Sequence, residues 1–526
     1  MPALKLPDHR AQSFAPGVVK VYAGMTTVAH EVGAHRASLL RQLRYVLKFQ
    51  IRPGLMLIET NTPQSQSGRL WQTFRDFLRY KLAHAIGLDR AIAFTVLGRV
   101  VQGLGSVGSV LLIVHFLTAA EQGYYYTLWS LVALQNVFEL GFSFVILQVA
   151  AHEHAHLEFQ KDGFISGSEA AHLRLASLLQ RAVKWYAGAA LIMGIVLMAG
   201  GTRFFSMHQQ SQVQGMWVGP LRVTAVACAV TFSIGPVLSF LEGCGQVAQV
   251  ARMRFFQSAV SVAAAWTALF SHHGLFSPAM VLLGQGFVAS ILLYSRRKFL
   301  VPLLKMNVAG NGINWRREVW PFQWKIAVSW LCDYFIFQLF TPALFAFRGP
   351  VEAGRMGLSM SVVMQLSTMM LAWMTTKAAP FGNLIAKKNT PELDRMFFRT
   401  LRQSLVLFAG AALLLLIGVL LAPYIMPKIS YRIESWQIFL LLLLTALSSN
   451  IVQSEAIYLR AHKCEPFLVQ SVVIALCTAA SVVLFAKTAG ALGVSLAYFV
   501  VLGVAGVTSA TAIFRAKRSQ WARVEI

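Results

Sequence analysis

Residues 404–422 read SLVLFAGAALLLLIGVLLA, nineteen positions without one charged side chain. A helix needs about 20 such residues to cross the hydrocarbon core of a bilayer. A soluble surface helix is apolar on one stripe only, whereas this stretch is apolar all round. Outward from it, the same composition governs most of the chain. Of 526 residues, 56% are hydrophobic and 13% charged, against about 45–50% and about 25% in soluble domains. That charge deficit excludes an ordinary solvated surface. It also excludes disorder, which needs low hydrophobicity and high net charge.

From residue 91 onward we read twelve apolar spans: 91–118, 123–150, 184–201, 217–242, 252–271, 275–295, 321–347, 353–377, 402–423, 436–459, 466–486 and 489–514. The fold class expected is an all-α polytopic membrane protein, with twelve transmembrane helices in two pseudo-symmetric six-helix halves around a central cavity. The expected segments are an N-terminal extension (1–90), a first half (91–298), a linker (299–320), a second half (321–514) and a basic tail (515–526). Six spans per half orient both halves alike, as parallel repeats do. Weak echoes support the repeat. Glu121-Gln122-Gly123 matches Glu352-Ala353-Gly354, Leu241-Glu242-Gly243 matches Leu459-Arg460-Ala461, and Gly274-Leu275 matches Gly490-Ala491.

The net charge of +25 follows from topology. With the N-terminus placed in the cytoplasm, the segments on that side hold 37 Lys/Arg and the opposite loops hold 6. Positive residues stay inside during insertion, so both termini are expected to be cytoplasmic. Nucleic-acid binding is not needed to explain the charge, and none is expected.

Residues 1–90 carry 13 Lys/Arg and five acidic residues. No apolar run follows the first basic residues, so no cleaved leader is expected. Residues 37–51 and 70–86 read as basic amphipathic helices suited to an anionic leaflet. Residues 1–55 contain no spanning segment, so a chain starting at Met56 is expected to insert and function.

The chemistry-bearing motifs are weak. His152-Glu153-His154-Ala155-His156 satisfies H-E-x-x-H, the helix-borne pattern of zinc proteases. A third ligand is required, and no second acidic motif inside an apolar span supplies one. The reading is a polar helix end, with no metal and no catalytic residue. Gly103-x-Gly105-x-x-Gly108 fits a dinucleotide fingerprint but follows no strand, so close helix packing is expected instead. Cys228, Cys244, Cys332, Cys464 and Cys477 are odd in number and widely spaced, which supports neither a disulfide framework nor a zinc site. No cofactor is expected.

The ionisable residues inside the spans carry more information. A charge at the bilayer centre costs on the order of 2.5–3.5 kcal/mol on insertion scales, so such residues face a cavity or a partner. Arg99, Glu139 and Asp333 lie deep, and Arg222 and Lys325 lie near span ends. Together they suggest a polar path between the halves. Cations would hold an anionic head group and acids a coupling cation. Glu242, Glu455, Arg460 and Lys463 are expected to be solvated at helix ends.

Residues 116–126 (FLTAAEQGYYY), the step Phe138-Glu139-Leu140-Gly141-Phe142 and residues 241–246 (LEGCGQ) resemble the polysaccharide transporters. Those are the O-antigen and exopolysaccharide flippases of the multidrug/oligosaccharidyl-lipid/polysaccharide superfamily. The resemblance spans residues 91–514, and the long extension and the His-rich loop 151–183 depart from it. It implies a bacterial inner-membrane flippase, not an enzyme, moving polyprenyl-pyrophosphate-linked oligosaccharide by alternating access. Arg99, Arg222 and Lys325 would then bind substrate, with Glu139 and Asp333 tuning the site or carrying a cation. Membrane lipids, a polysaccharide polymerase and glycosyltransferases would be its neighbours. The rival readings are a multidrug exporter of the same superfamily and an intramembrane zinc metalloprotease.

Overall fold

The structure, a computed structural model, describes residues 90–154, 157–159, 165–167, 169–208, 215–308, 313–462 and 465–524. The amphipathic segments 37–51 and 70–86 lie outside the described residues. Among those described, nine helices are long and apolar enough to cross a membrane, and two further crossings are bent helix pairs. The twelfth crossing is the helix Val247–Phe270, diluted by Arg252 and Arg254 in its first turns. The fold is the all-helical polytopic one, with one departure: a two-stranded antiparallel hairpin pairs Leu157–Phe159 with Ile165–Gly167.

In chain order the first half is α1 (Arg90–Phe116); α2, α3 and α4 (Ala119–Val132, Gln135–Glu139, Phe142–His154); α5 (Glu169–His208); α6 (Val218–Gly243); α7 (Val247–Phe270); and α8 (Ser277–Ser295). A short amphipathic helix, α9 (Arg297–Lys305), leads to the second half. That half is α10 and α11 (Trp320–Phe337, Phe340–Arg348); α12 and α13 (Pro350–Thr375, Ala378–Ala386); α14 (Thr390–Ile425); α15 (Pro427–Ser430); α16 (Trp436–Ala461); α17 (Leu468–Thr488); and α18 (Gly490–Tyr498), continuing through a π-helical stretch into α19 (Val507–Val524).

Several boundaries differ from the hydropathy reading. The long loop expected over 151–183 is largely ordered, because α5 begins at Glu169 and the hairpin precedes it. The expected tail from residue 515 continues α19 as helix to Val524. Hydropathy ends where the apolar stretch ends, but a helix continues while its backbone bonds are met.

The second crossing bends by 43°. Leu140 and Gly141 sit in the left-handed region, at φ 51° and 67°, where a non-glycine residue is strained by roughly 1–2 kcal/mol. A carbonyl freed inside a membrane must find a donor. Gln323 of α10 provides it, with Nε2 donating to the Leu140 carbonyl at 2.7 Å. A Cβ at position 141 would overlap Ile326, so glycine lets α10 pack on the bend. The seventh crossing bends by 41° between α10 and α11. Pro342 lacks the N–H that would bond the Gln338 carbonyl, so one helix cannot run through.

The sequence echoes occupy equivalent places. They fall at the starts of α2 and α12, at the ends of α6 and α16, and just before or at the starts of α8 and α18. Twelve crossings alternate direction, so these sites divide between two faces. The face where α1 starts is called the basic face here. On the other face the halves are clamped together. A Cβ on Gly123 would overlap the Pro350 carbonyl, and one on Gly354 would lie 2.8 Å from the Gly123 nitrogen. Gln122 Nε2 donates to the carbonyls of Gly354 at 2.8 Å and Arg432 at 3.0 Å. Arg432 in turn donates to the Leu117 carbonyl. A continuous apolar core that includes Tyr124, Phe345, Met356 and Tyr498 backs this contact.

Candidate functional site: a central cavity between the halves

A cavity of about 1160 Å³ lies between the halves, lined from α1, α2, α7 and α8 on one side and α10 to α12 and α14 on the other. Its charged lining residues are Arg99, Arg254 and Glu242. Five glutamines join them: Gln102, Gln257, Gln285, Gln338 and Gln365. Rings from both halves, including Tyr125, Trp129, Phe255 and Phe337, complete the wall.

Of the residues expected at a site, Arg99 lines this cavity. It sits nine residues into α1, about 14 Å at 1.5 Å per residue. It is exposed and lines the cavity. Among the described residues no hydrogen bond or ion pair engages it. α1 is held in place by its small residues. Cβ atoms on Gly105 and Gly108 would overlap Val262 and Trp266 of α7, so the G-x-G-x-x-G pattern is a helix-packing seam. Trp266 Nε1 also donates to Ser109 at 3.0 Å.

Of the other four expected residues, Arg222, Glu139 and Asp333 do not line this cavity. Arg222 is exposed, one turn into α6, at the face opposite the basic one. Lys325 lies on α10, and its side chain is outside the described residues. Asp333 is also on α10 and is not among the cavity's lining residues. Its charged neighbours are Arg460 and Glu465. Glu139 ends α3 at the bend and lines a separate cavity of about 200 Å³ within the first half. Oxygen atoms crowd that cavity. Gln135, Ser143 and Tyr186 line it, and the last two share a hydrogen bond of 3.1 Å. Phe232 lines it too, and Pro236 within α6 removes the N–H its carbonyl would otherwise bond. Gln257 and Gln285 border both cavities, bonded side chain to backbone at 2.9 Å.

Sequence reading weighed ionisable residues and passed over the glutamines. Their signal was present: five neutral hydrogen-bonding side chains inside apolar spans. Three of the charged residues expected at helix ends are engaged, and Lys463 lies outside the described residues. Glu455 is buried, 3% exposed, and accepts from Thr511 at 2.9 Å. The expectation that it is solvated is corrected, because α19 packs against α16 there. Glu242 is paired with Arg254 at 2.8 Å, and Arg460 with Glu465 at 2.7 Å.

The His-rich stretch is a structural helix end. Glu153 is 6% exposed and accepts from Arg174 of α5 at 2.9 Å. A carboxylate committed to a guanidinium is poorly placed to serve as a general base. No group of three or more His, Cys, Asp or Glu side chains among the described residues could hold a metal ion.

The two sides of the cavity are sealed unequally. On one side α10 packs along the bend of the second crossing through Gln323, Ile326 and Trp330. On the other, α1 meets α12 only over a short stretch, where Gln365 Nε2 donates to Ser106 Oγ at 2.9 Å.

No family model matches the sequence, and no curated protein sequence matches it significantly. Solved structures do match in fold. The lipid II flippase MurJ, in an inward closed conformation, gives a TM-score of 0.57 at 13% identity, covering 81% of this chain and 87% of that one. The multidrug transporter DinF-BH of the MATE family gives 0.54 at 13% identity, covering 82% and 95%. An MOP superfamily transporter from Pyrococcus furiosus, described as having a binding pocket of reversed polarity, gives 0.50 at 14%, covering 82% and 96%. The chain therefore has the fold of the MOP superfamily transporters, which include both multidrug exporters and a lipid flippase.

Proposed function

We propose that this protein is a flippase that carries polyprenyl-pyrophosphate-linked oligosaccharide across a bacterial inner membrane by alternating access. The observation that carries the reading is Arg99, a guanidinium exposed at the cavity with no hydrogen-bond or ion-pair partner among the described residues. An intramembrane charge is costly unless something compensates it. Arginine's planar fork suits a phosphate group that enters from outside. Arg254 and Glu242 offset each other, so the lining is positive overall. A cavity for cationic drugs would be expected to carry the opposite sign, which disfavours the multidrug exporter.

The remaining lining fits a sugar head. Glutamine amides both donate and accept, as hydroxyl-rich sugars require, and aromatic rings offer faces for stacking. The weakly sealed side between α1 and α12 gives a lipid tail a route to stay in the bilayer while its head enters. Arg222 and Lys325 stand apart from Arg99 along the chain, and their share in holding the pyrophosphate comes at other stages of transit. Glu139, in its oxygen-lined side cavity, is the residue best placed to take a coupling cation. Asp333 tunes the second half from outside the cavity. On this reading both termini are cytoplasmic, and glycosyltransferases and a polymerase work beside the protein.

The test is deletion in the host, followed by leaflet-resolved analysis of lipid-linked glycans. Accumulation on the cytoplasmic leaflet is the expected result. An unchanged glycan profile with new sensitivity to apolar cations would favour the multidrug exporter.

A further inference from the structure

The closed face joins equivalent residues of the two halves, since Gly123 and Gly354 occupy matching positions and touch. Under the pseudo-two-fold relation, closure of the basic face must likewise bring matching positions together. The matching positions there include the ends of α6 and α16, which carry Leu241-Glu242-Gly243 and Leu459-Arg460-Ala461. These ends bear opposite charges. Each is now held within its own half by a counter-charge of opposite sign. Arg254 of α7 donates to Glu242 at 2.8 Å. Arg460 bonds Glu465 through two nitrogens at 2.7 and 3.0 Å. The two ion pairs have inverted polarity at the matching helix ends, with the counter-charge twelve residues on, in α7, in the first half and five residues on, before α17, in the second.

We infer that these four side chains form a gate on the basic face by exchanging partners. When that face closes, Glu242 meets Arg460 and Arg254 meets Glu465 across the halves. Three observations support the exchange. The guanidiniums of Arg254 and Arg460 are 56% and 51% exposed, so neither pair is locked in the core. Glu242 and Arg254 already line the cavity that closure would shut. The four charges sum to zero, so the quartet can gather without importing an ion. Asp333 of α10 lies within electrostatic reach of Arg460.

Partner exchange also keeps the two states close in energy. Each state has two ion pairs, and exposed pairs are individually weak. A gate made this way closes without a large drop in free energy that would trap it. Like charges brought together across an interface are strongly disfavoured, so the gate accepts one charge arrangement only.

The inference rests on the two-state cycle proposed above, but its test reads distance rather than transport. In full-length protein in lipid nanodiscs, with natural cysteines replaced, spin labels are placed at Arg252 and Lys387. Both residues are exposed on the basic face, one in each half. The parent should show a long and a short distance population. The double variant Glu242→Arg/Arg254→Glu restores a pair within the first half but sets like charges across the gate. It should lose the short population. Adding Arg460→Glu and Glu465→Arg should bring the short population back. A double variant that keeps the parent's short share overturns the gate, as does a parent with no short population. Should the double variant fail to accumulate, cysteines at 242 and 460 provide the second measurement. Cross-linking of these two by a short bifunctional thiol reagent is expected, and its failure in well-folded protein overturns the exchange.

Discussion

The two faces of the molecule are closed by different means. On the face opposite the basic one, backbone meets backbone: Gly123 against Pro350 and Gly354, with Gln122 and Arg432 donating to carbonyls. Such a contact tolerates no added atom and fits one register only. Among the described residues the basic face shows no such seam, and Glu242 and Arg460 are paired within their own halves. The difference teaches that one closure is encoded by the absence of side chains and the other by their charge. Steric closure is stiff, since packed interiors resist even a methylene. Charge closure can change partners.

The largest effect should therefore come from adding atoms at the steric face. Gly123→Leu places a branched side chain where even a Cβ overlaps the Pro350 carbonyl. Overpacking costs typically ~1–3 kcal/mol, and more when backbone must move. The expected outcome is near-complete loss of the state closed on that face. Distance measurement across it by paired labels checks this. An unchanged distance distribution in Gly123→Leu would show that the seam is not a rigid contact.

Arg99 comes next, because the charge-bearing side is where substrate binds on our reading. Arg99→Lys keeps the charge and loses the fork, while Arg99→Ala loses both. Wild type should be most active, Lys intermediate and Ala least, at equal membrane abundance. A hydrogen bond to a charged group contributes about 1.5–3 kcal/mol, so Ala should bind substrate about tenfold to a hundredfold more weakly. Equal abundance is expected because no partner among the described residues is lost. A fall in abundance, rescued by neutralising an acid elsewhere, would return Arg99 to the scaffold. The distance of Glu139 and Asp333 from the cavity wall that Arg99 lines argues against that rescue.

The contrast between faces also explains what was legible in the sequence. Apolar stretches such as 404–422 announce the crossings, and the Lys/Arg asymmetry orders them, because lipid enforces both rules on every helix. The depth of Arg99 made it a candidate, and the cavity places it on the wall. The echoes at Gly123 and Gly354 marked the repeat but not their contact, since pairing across 231 residues leaves no local pattern. The bend at Glu139-Leu140-Gly141 was present as a motif. Its cause, a left-handed turn capped by Gln323 from the other half, is tertiary. The grouping of Asp333 with Arg460 rather than with Arg99 depends on helix rotation, which a degenerate apolar periodicity does not fix.

A smaller effect separates the faces by pH. Glu434 lies in the loop before α16, 7% exposed, and its backbone N–H donates to Ser359 at 3.0 Å. Burial, with the Glu352 carboxylate nearby, pushes its carboxyl up to about 7, partly offset by Arg355. The protonated form suits the closed seam. When that face opens and Glu434 is solvated, its pKa should return toward the ordinary carboxylate value. A raised acid in the closed state makes that state fully favoured below the ordinary value and less favoured as pH rises through about 7. The closed population on this face should therefore fall between pH 5 and 7 and level off above. Glu434→Gln should flatten that dependence. A pH slope that survives the substitution would assign it to another group, with the basic face the first place to look.

The smallest expected effect tests whether every ion pair on the basic face can change partners. Glu153 and Arg174 form a pair there as well, but its carboxylate is buried, with the side chain 8% exposed, against 19% for Glu242. Both partners belong to the first half, and α4 packs on α5 around them. The Glu153 carboxylate is the more buried of the two, so the pair should be a fixed brace. Glu153→Gln keeps an acceptor for the Arg174 guanidinium and loses the charge. A cost of about 1 kcal/mol is expected, seen as a modest fall in melting temperature in detergent. Transport should persist, and the distance populations between labels at 252 and 387 should match the parent's. Zinc bound stoichiometrically by the parent and lost in His152→Ala would instead revive a metal role for the stretch. A shift of the distance populations in Glu153→Gln would mean that this brace, too, takes part in closing the basic face, and that exposure does not distinguish the pairs that move from those that stay.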